Sequence, residues 1–186
     1  RVLVVTGHEA PRVEAALAGR ACAFVHHADW AEGMGSSLAC GVRQVLADAV
    51  PPDAILVSVG DLPGLRAAHV AAVLASARDA SGRMPADRVA LPTYAGRRGH
   101  PVLFGAAHFD ALSRLGGDEG ARSILRACAA LVVEVEVGDP GCLRDVDTPA
   151  ELAEARASRR PNASSPPSPR PKSSAVAGSG TTDSET

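Results

Sequence analysis

Two acidic corners carry the chemistry this sequence could do. An apolar run, Ala54-Ile-Leu-Val-Ser-Val59, breaks at Gly60-Asp61-Leu62-Pro63, and far downstream the chain repeats the device as Leu143-Arg-Asp145-Val-Asp147-Thr148-Pro149. Each presents a carboxylate at a strand-to-helix corner. In an open α/β sheet, ligands bind in the crevice beyond the carboxyl ends of the strands. Carboxylates gathered there suit a divalent cation that carries a phosphorylated substrate. In an extended segment Asp145 and Asp147 project to one side and Val146 to the other. A plainer reading stands beside this one: Asp61 caps a helix that starts near Gly64, and Asp147 or Thr148 caps the helix opened by Pro149.

Three further constellations are chemically suggestive. Gly33-Met34-Gly35-Ser36-Ser37-Leu38 sits between a strand and a helix, where free backbone N–H groups and the helix dipole favour a nucleotide or a phosphate. Its spacing differs from a Walker A loop, and no Gly-Lys-Ser follows. Gly96-Arg97-Arg98-Gly99-His100-Pro101 puts two guanidiniums and an imidazole on a turn; it is either a solvated turn or a fork for an anionic substrate. Gly116-Gly117-Asp118-Glu119-Gly120-Ala121-Arg122 reads most simply as a helix start with Asp118 as its cap, although glycine pairs also admit a substrate close to the backbone. His26, His27 and Trp30 read as packing or surface residues. No Gly-x-Ser-x-Gly elbow is present, which argues against a serine hydrolase.

The elements that must position these residues alternate. Strands are predicted at Val2–Val5, Ala21–Val25, Ile55–Val59, Val89–Leu91, Pro101–Phe104 and Leu131–Val137. Helices are predicted over Glu9–Ala18, Ser36–Ala49, Arg66–Arg78, Ala106–Leu115, Glu119–Ala129 and from Pro149 to about Ala157. Alternation of this kind predicts an α/β fold with a largely parallel, helix-flanked sheet. After Ala157 the composition turns to Ser, Pro, Gly and Thr, which cannot bury enough apolar surface to offset its ordering entropy. The reading is therefore one domain over 1–157 and a disordered tail over 158–186.

Bulk properties narrow the classes. With 46% hydrophobic residues and a formal net charge of -2, the chain has core enough for one domain and no general attraction to nucleic acid or an anionic membrane. Cys22, Cys40, Cys128 and Cys142 stand far apart without a Cys-x-x-Cys pair, so they predict buried thiols rather than zinc or disulfides. No apolar run is long enough to span a bilayer, and a cytoplasmic location is expected.

Taken in order, Glu32-Gly-Met-Gly-Ser-Ser-Leu38, Gly60-Asp-Leu-Pro63, Gly99-His-Pro-Val102, Gly117-Asp-Glu-Gly-Ala-Arg122 and Asp145-Val-Asp-Thr-Pro149 resemble the MobA-like nucleotidyltransferases. Within them the molybdenum cofactor cytidylyltransferase branch looks most similar, over roughly residues 1 to 155. The resemblance implies a Rossmann-like, GT-A-like nucleotidyltransferase sheet flanked by helices. It also implies transfer of a nucleoside monophosphate from CTP to the phosphate of molybdopterin, with Mg2+ and release of pyrophosphate. By motif, Asp61 and Asp147 are the catalytic residues and would hold the magnesium. Gly33, Met34, Gly35, Ser36 and Ser37 would lie near the nucleotide, while Gly99, His100, Pro101, Asp118 and Arg122 would face the acceptor. The family normally opens with a strand and a loop of the type Leu-Ala-Ala-Gly-x-x-x-Arg-Met-Gly, followed by a lysine. This sequence starts at Arg1 without them, so the expectation is an amino-terminally incomplete domain lacking the first strand. Two alternatives stand beside the transferase. One is a non-catalytic chaperone that holds molybdenum cofactor for a hydroxylase of the xanthine dehydrogenase type. The other is a nucleotidyltransferase with a different phosphate acceptor.

Overall fold

The structure, a computed structural model, describes residues 1–158. The Ser/Pro-rich stretch from 159 onward, read above as a disordered tail, lies outside the described residues, and residue 158 itself ends the last helix. Apolar runs became strands and the alanine-rich segments between them became helices. The order is β1 (Leu3–Thr6), α1 (Ala10–Ala16), β2 (Ala23–His26), α2 (Met34–Leu46), β3 (Ala54–Val57), α3 (Ala67–Ser76) and β4 (Val89–Tyr94). It continues through β5 (Arg97–Arg98), β6 (Val102–Gly105), α4 (Phe109–Ser113), α5 (Arg122–Ala127), β7 (Val132–Glu136) and α6 (Pro149–Ser158).

The larger sheet is mixed, which corrects the expectation of a largely parallel one. β6 runs antiparallel to both β3 and β4, so β3 and β4 share a direction, and β7 pairs with β4 in parallel. Chain length is the cause: the link from Tyr94 to Val102 is far too short for a crossover, which takes a dozen or more residues. The turn at Ala95 and Gly96, both at positive φ, closes a hairpin in which Tyr94 faces Arg97 and Thr93 faces Arg98. That small strand is one that sequence reading left as a turn.

Burial on both faces explains why β4 and β6 read as unbroken apolar runs. Val89, Leu91, Val102 and Phe104 face one core, where they meet Val42, Phe109 and Leu112. Their neighbours Ala90 and Leu103 face the opposite core with Val73 of α3 and Ala77 at its C-cap. All of these residues are buried.

β1 and β2 form a separate parallel pair, and neither shares a ladder with β3. α2 spans the two sheets. At Gly41 the helix lies so close to β1 that an added Cβ would sit 2.7 Å from Val5 Cγ2. On its other side Leu38, Val42 and Leu46 pack with Ile55 and Val57 of β3. One helix thus holds both strand layers at its own spacing.

Candidate active site

The two acidic corners meet. Leu62 is buried and anchors the first corner, leaving Asp61 exposed beside it. The backbone N–H of Val146 donates to the carbonyl oxygen of Asp61 at 3.0 Å, so the 145–147 segment runs against the 61 corner. Helix capping falls to another residue. The Thr148 hydroxyl accepts from the Glu151 amide at 3.2 Å, and Glu151 Oε2 in return accepts from the Thr148 amide, the Thr148 hydroxyl and the Asp147 amide at 2.8, 2.8 and 3.0 Å. This reciprocal capping box holds the Glu151 carboxyl below the usual glutamate range, chiefly through the Thr148 hydroxyl. The carboxylates of Asp61, Asp145 and Asp147 are left exposed, and none takes a hydrogen bond or ion pair among the described residues.

Those carboxylates fit a hard divalent ion. Among the described residues no three His, Cys, Asp or Glu side chains converge as a ready-made metal site. Magnesium does not require one, since it commonly takes one or two carboxylates and completes its octahedron with waters and substrate phosphates. Asp61 and Asp147 are exposed carboxylates whose oxygens suit such an ion.

The two glycine loops touch each other. The Gly35 amide donates to the Gly117 carbonyl at 2.7 Å, and a Cβ at Gly35 would stand 2.5 Å from Gly116 O. A Cβ at Gly33, where φ is +121°, would strike the Asp118 carboxylate and the Gly117 backbone. The segment containing Gly33, Met34, Gly35, Ser36 and Ser37 is therefore packed on the segment carrying Asp118 and Arg122. Met34 is exposed and approaches Gly120, while Ser36 is buried. The Ser36 hydroxyl donates to Gly33 O at 2.9 Å and lies 3.0 Å from His27 Nε2. His27, read from sequence as packing or surface, is the buried brace of this loop. Asp118 does not cap a helix, because α5 starts only at Arg122 with Ala121 as its N-cap.

A strap over residues 139–147 gathers the remaining motif. The His100 amide donates to Cys142 O at 2.9 Å, and a Cβ at Gly99 would lie 2.5 Å from that same oxygen. Pro101 follows a cis peptide bond and is buried, and His100 Nδ1 is buried without a partner among the described residues. At the other corner a Cβ on Gly64 would come within 2.9 Å of Gly141 Cα. The strap thus ties the Gly60–Gly64 corner to Gly99–Pro101. Cys142, part of the strap, is wholly buried, and its desolvation pushes the thiol upward, as burial does for Cys128. All four cysteines are free, though Cys22 and Cys40 are only partly buried.

Sequence reading missed two residues here. Asp139 accepts from the Gly141 amide at 2.9 Å, and buried His69 lies 3.1 Å from it. The turn signal Asp139-Pro140-Gly141 could have flagged the first, while nothing in the apolar pattern of α3 distinguishes the second.

Comparisons with known proteins bear on the family and the fold. The chain is 32% identical over 126 residues to the purine catabolism protein PucB of Bacillus subtilis, covering 66% of this chain and 56% of that protein. It is 33% identical over 159 residues to nicotine blue oxidoreductase of Paenarthrobacter nicotinovorans, covering 81% and 72%. The chain therefore spans little more than half the length of the Bacillus relative. Among solved structures, a manganese complex of Rv0371c from Mycobacterium tuberculosis superposes with a TM-score of 0.66 at 25% identity, covering 85% of this chain and 78% of that one. A nucleotidyl transferase from Methanothermobacter superposes with a TM-score of 0.65 at 25% identity, covering 84% and 71%. No helix among the described residues is long and apolar enough to cross a membrane. Residues 1–133 match the family described as the MobA-like NTP transferase domain, and with the acidic corners, glycine loops and mixed sheet in place the chain belongs to that family.

Proposed function

We propose that this chain transfers the cytidylyl group of CTP to the terminal phosphate of molybdopterin, with Mg2+ and release of pyrophosphate. The observation that carries the proposal is the 3.0 Å bond from the Val146 amide to Asp61 O, which sets two free, exposed carboxylate corners side by side. In such a transfer the acceptor phosphate oxygen bonds to the α-phosphorus of the nucleotide, and the bond from that phosphorus to the bridging oxygen of pyrophosphate breaks. No covalent enzyme intermediate is needed, so the protein's work is positioning and charge.

Asp61 and Asp147 would hold the metal, which supplies neutralisation of phosphate charge when bound. Gly33 to Ser37 would lie along the nucleotide, with the amide at Gly35 already spent on Gly117 O. Gly99, His100 and Pro101 would face the acceptor together with Asp118 and the exposed Arg122, whose guanidinium suits a phosphate. The manganese in a structural neighbour supports a divalent ion at this fold. Membership in the family does not alone set the reaction, because one relative is named as an oxidoreductase.

The test is pyrophosphate release from CTP, GTP and ATP in the presence of molybdopterin, with and without Mg2+. Release with CTP alone, and only with the metal, is the expected result. Molybdopterin binding without pyrophosphate from any nucleotide would replace this reading with a cofactor chaperone serving a molybdenum hydroxylase. Release with a different phosphate acceptor would move the substrate but keep the chemistry.

A further inference from the structure

The strap that presents Asp147 is held at its far end by a side-chain pair that the nucleotidyl-transfer motifs do not include. His69 sits in the first turn of α3, only 2% exposed. Its Nδ1 accepts the Arg66 backbone N–H at 3.1 Å, so the neutral ring carries its proton on Nε2. Nε2 lies 3.1 Å from Asp139 Oδ1, within ion-pair distance, yet it makes no hydrogen bond among the described residues, so Asp139 is the charged group it faces. Asp139 also accepts from the Gly141 amide at 2.9 Å and lies 3.7 Å from the Arg66 guanidinium. The Gly141 amide does most to hold its carboxyl below the usual aspartate range, while burial opposes and His69 and Arg66 assist. Beyond Gly141 the strap closes on Gly64, bonds His100 through Cys142 O, and reaches Asp61 through the Val146 amide.

We infer that His69 and Asp139 are a positioning pair for the metal site: the buried imidazole joins the start of α3 to the start of the strap, and so sets where Asp147 stands relative to Asp61. The inference rests on the reading of Asp61 and Asp147 as metal ligands. It follows from how few other anchors the strap has. Among the described residues, the polar ties of the stretch between Asp139 and Val146 to the Asp61 corner and the start of α3 are this pair, the Arg66 contact and the Val146 amide. Residues that orient metal ligands without touching the metal typically change affinity by about 10- to 100-fold when removed.

The experiment uses the full 186-residue chain titrated with Mn2+ alone, free and bound ion being separated by electron paramagnetic resonance. Asp61→Asn tests the site, and His69→Leu and Asp139→Ala test the pair. His69→Gln tests the polar contacts, because its amide can accept from Arg66 with oxygen and turn its nitrogen toward Asp139. Expected are loss of binding in Asp61→Asn, a dissociation constant raised about 10- to 100-fold in His69→Leu and Asp139→Ala, and near wild-type affinity in His69→Gln. If Asp61→Asn loses the ion while His69→Leu and Asp139→Ala keep it, the pair has no positioning role and the metal site stands. If glutamine fails as leucine does, the ring matters for packing and the inference is overturned. If wild type binds no Mn2+, or Asp61→Asn binds as wild type does, the metal-site reading itself falls and takes the inference with it. Should His69→Leu not fold, as circular dichroism would show, Asp139→Ala decides, since that side chain is 36% exposed.

Discussion

At the scale of single residues, the site separates side chains that are free to react from those consumed in holding shape. Asp61 and Asp147 belong to the first group, exposed and unpartnered among the described residues. Asp61→Asn should therefore leave the melting temperature unchanged. It should cut nucleotidyl transfer at least about 100-fold, since a metal supplies several kcal/mol of charge stabilisation and each ~1.4 kcal/mol is tenfold in rate. An equal loss of stability and activity would mean the residue is structural. Ser36 belongs to the second group: its hydroxyl is spent on Gly33 O and His27, which its place in a Gly-Ser motif does not reveal. Gly35 is held by geometry, because a Cβ there would meet Gly116 O at 2.5 Å. Gly35→Ala should cost roughly 1–3 kcal/mol, as overpacking does, by pushing the two glycine loops apart. Gly60→Ala, with nothing within 4 Å of the added atom, should cost far less. Comparison of the two by urea unfolding checks the claim, and equal costs would sink it.

At the scale of elements, the sequence was readable where a segment buries one kind of surface and opaque where the partner decides. The apolar runs that became β3, β4 and β6 were located within a few residues because burial on two faces leaves little else for them to be. Strand direction was not legible, since the period of a strand is the same parallel or antiparallel; only the short Tyr94–Val102 link reverses β6. Helix starts were less certain still. Asp118 carries the residue type of a cap yet its carboxylate lies against Gly33, and Thr148 rather than Asp147 caps α6. The convergence of Asp61 with the 145–147 segment was legible as two like corners, whereas His69 and Asp139 were not, because a buried histidine on an apolar helix has no periodic signature. The cap on α6 carries a pH dependence with a definite sign. The Glu151 carboxyl is held below its ordinary range in the folded chain. Its contribution is therefore present above the unfolded-state pKa and is lost as pH falls through the lower, folded one. The protection of the Asp147 and Thr148 amides, taken relative to their intrinsic exchange rates, should fall on acidification through that window in wild type and be low at all pH in Glu151→Gln or Thr148→Ala. A flat profile in wild type would show that the capping box does not order α6 in solution.

At the scale of the whole molecule, the two strand layers are joined by α2 rather than by a continuous ladder. β1 has β2 as its hydrogen-bonded neighbour and β3 has β6, and neither pairs on its other side among the described residues. Alternation identifies the groups left over. Val2 O and Thr6 O accept from β2, through the Ala23 and His27 amides, so Leu3 and Val5 point their amides to the opposite edge. Ala106 N donates to Asp53 O, which places Ile55 and Val57 toward β6 and Ala54 and Leu56 toward the open side of β3. Backbone groups left without partners must bond water or another chain, and open apolar edges invite pairing between molecules. In dilute solution the amides of Leu3, Val5, Ala54 and Leu56 should therefore exchange with deuterium much faster than those of Val4, Thr6, Ile55 and Val57, although α2 covers both layers. The contrast should weaken as concentration rises if the edges of two molecules pair, and sedimentation would then show dimers. Uniform protection of all eight amides at low concentration, in a monomer, would mean that the two layers close into one ladder and that α2 is not what holds them together.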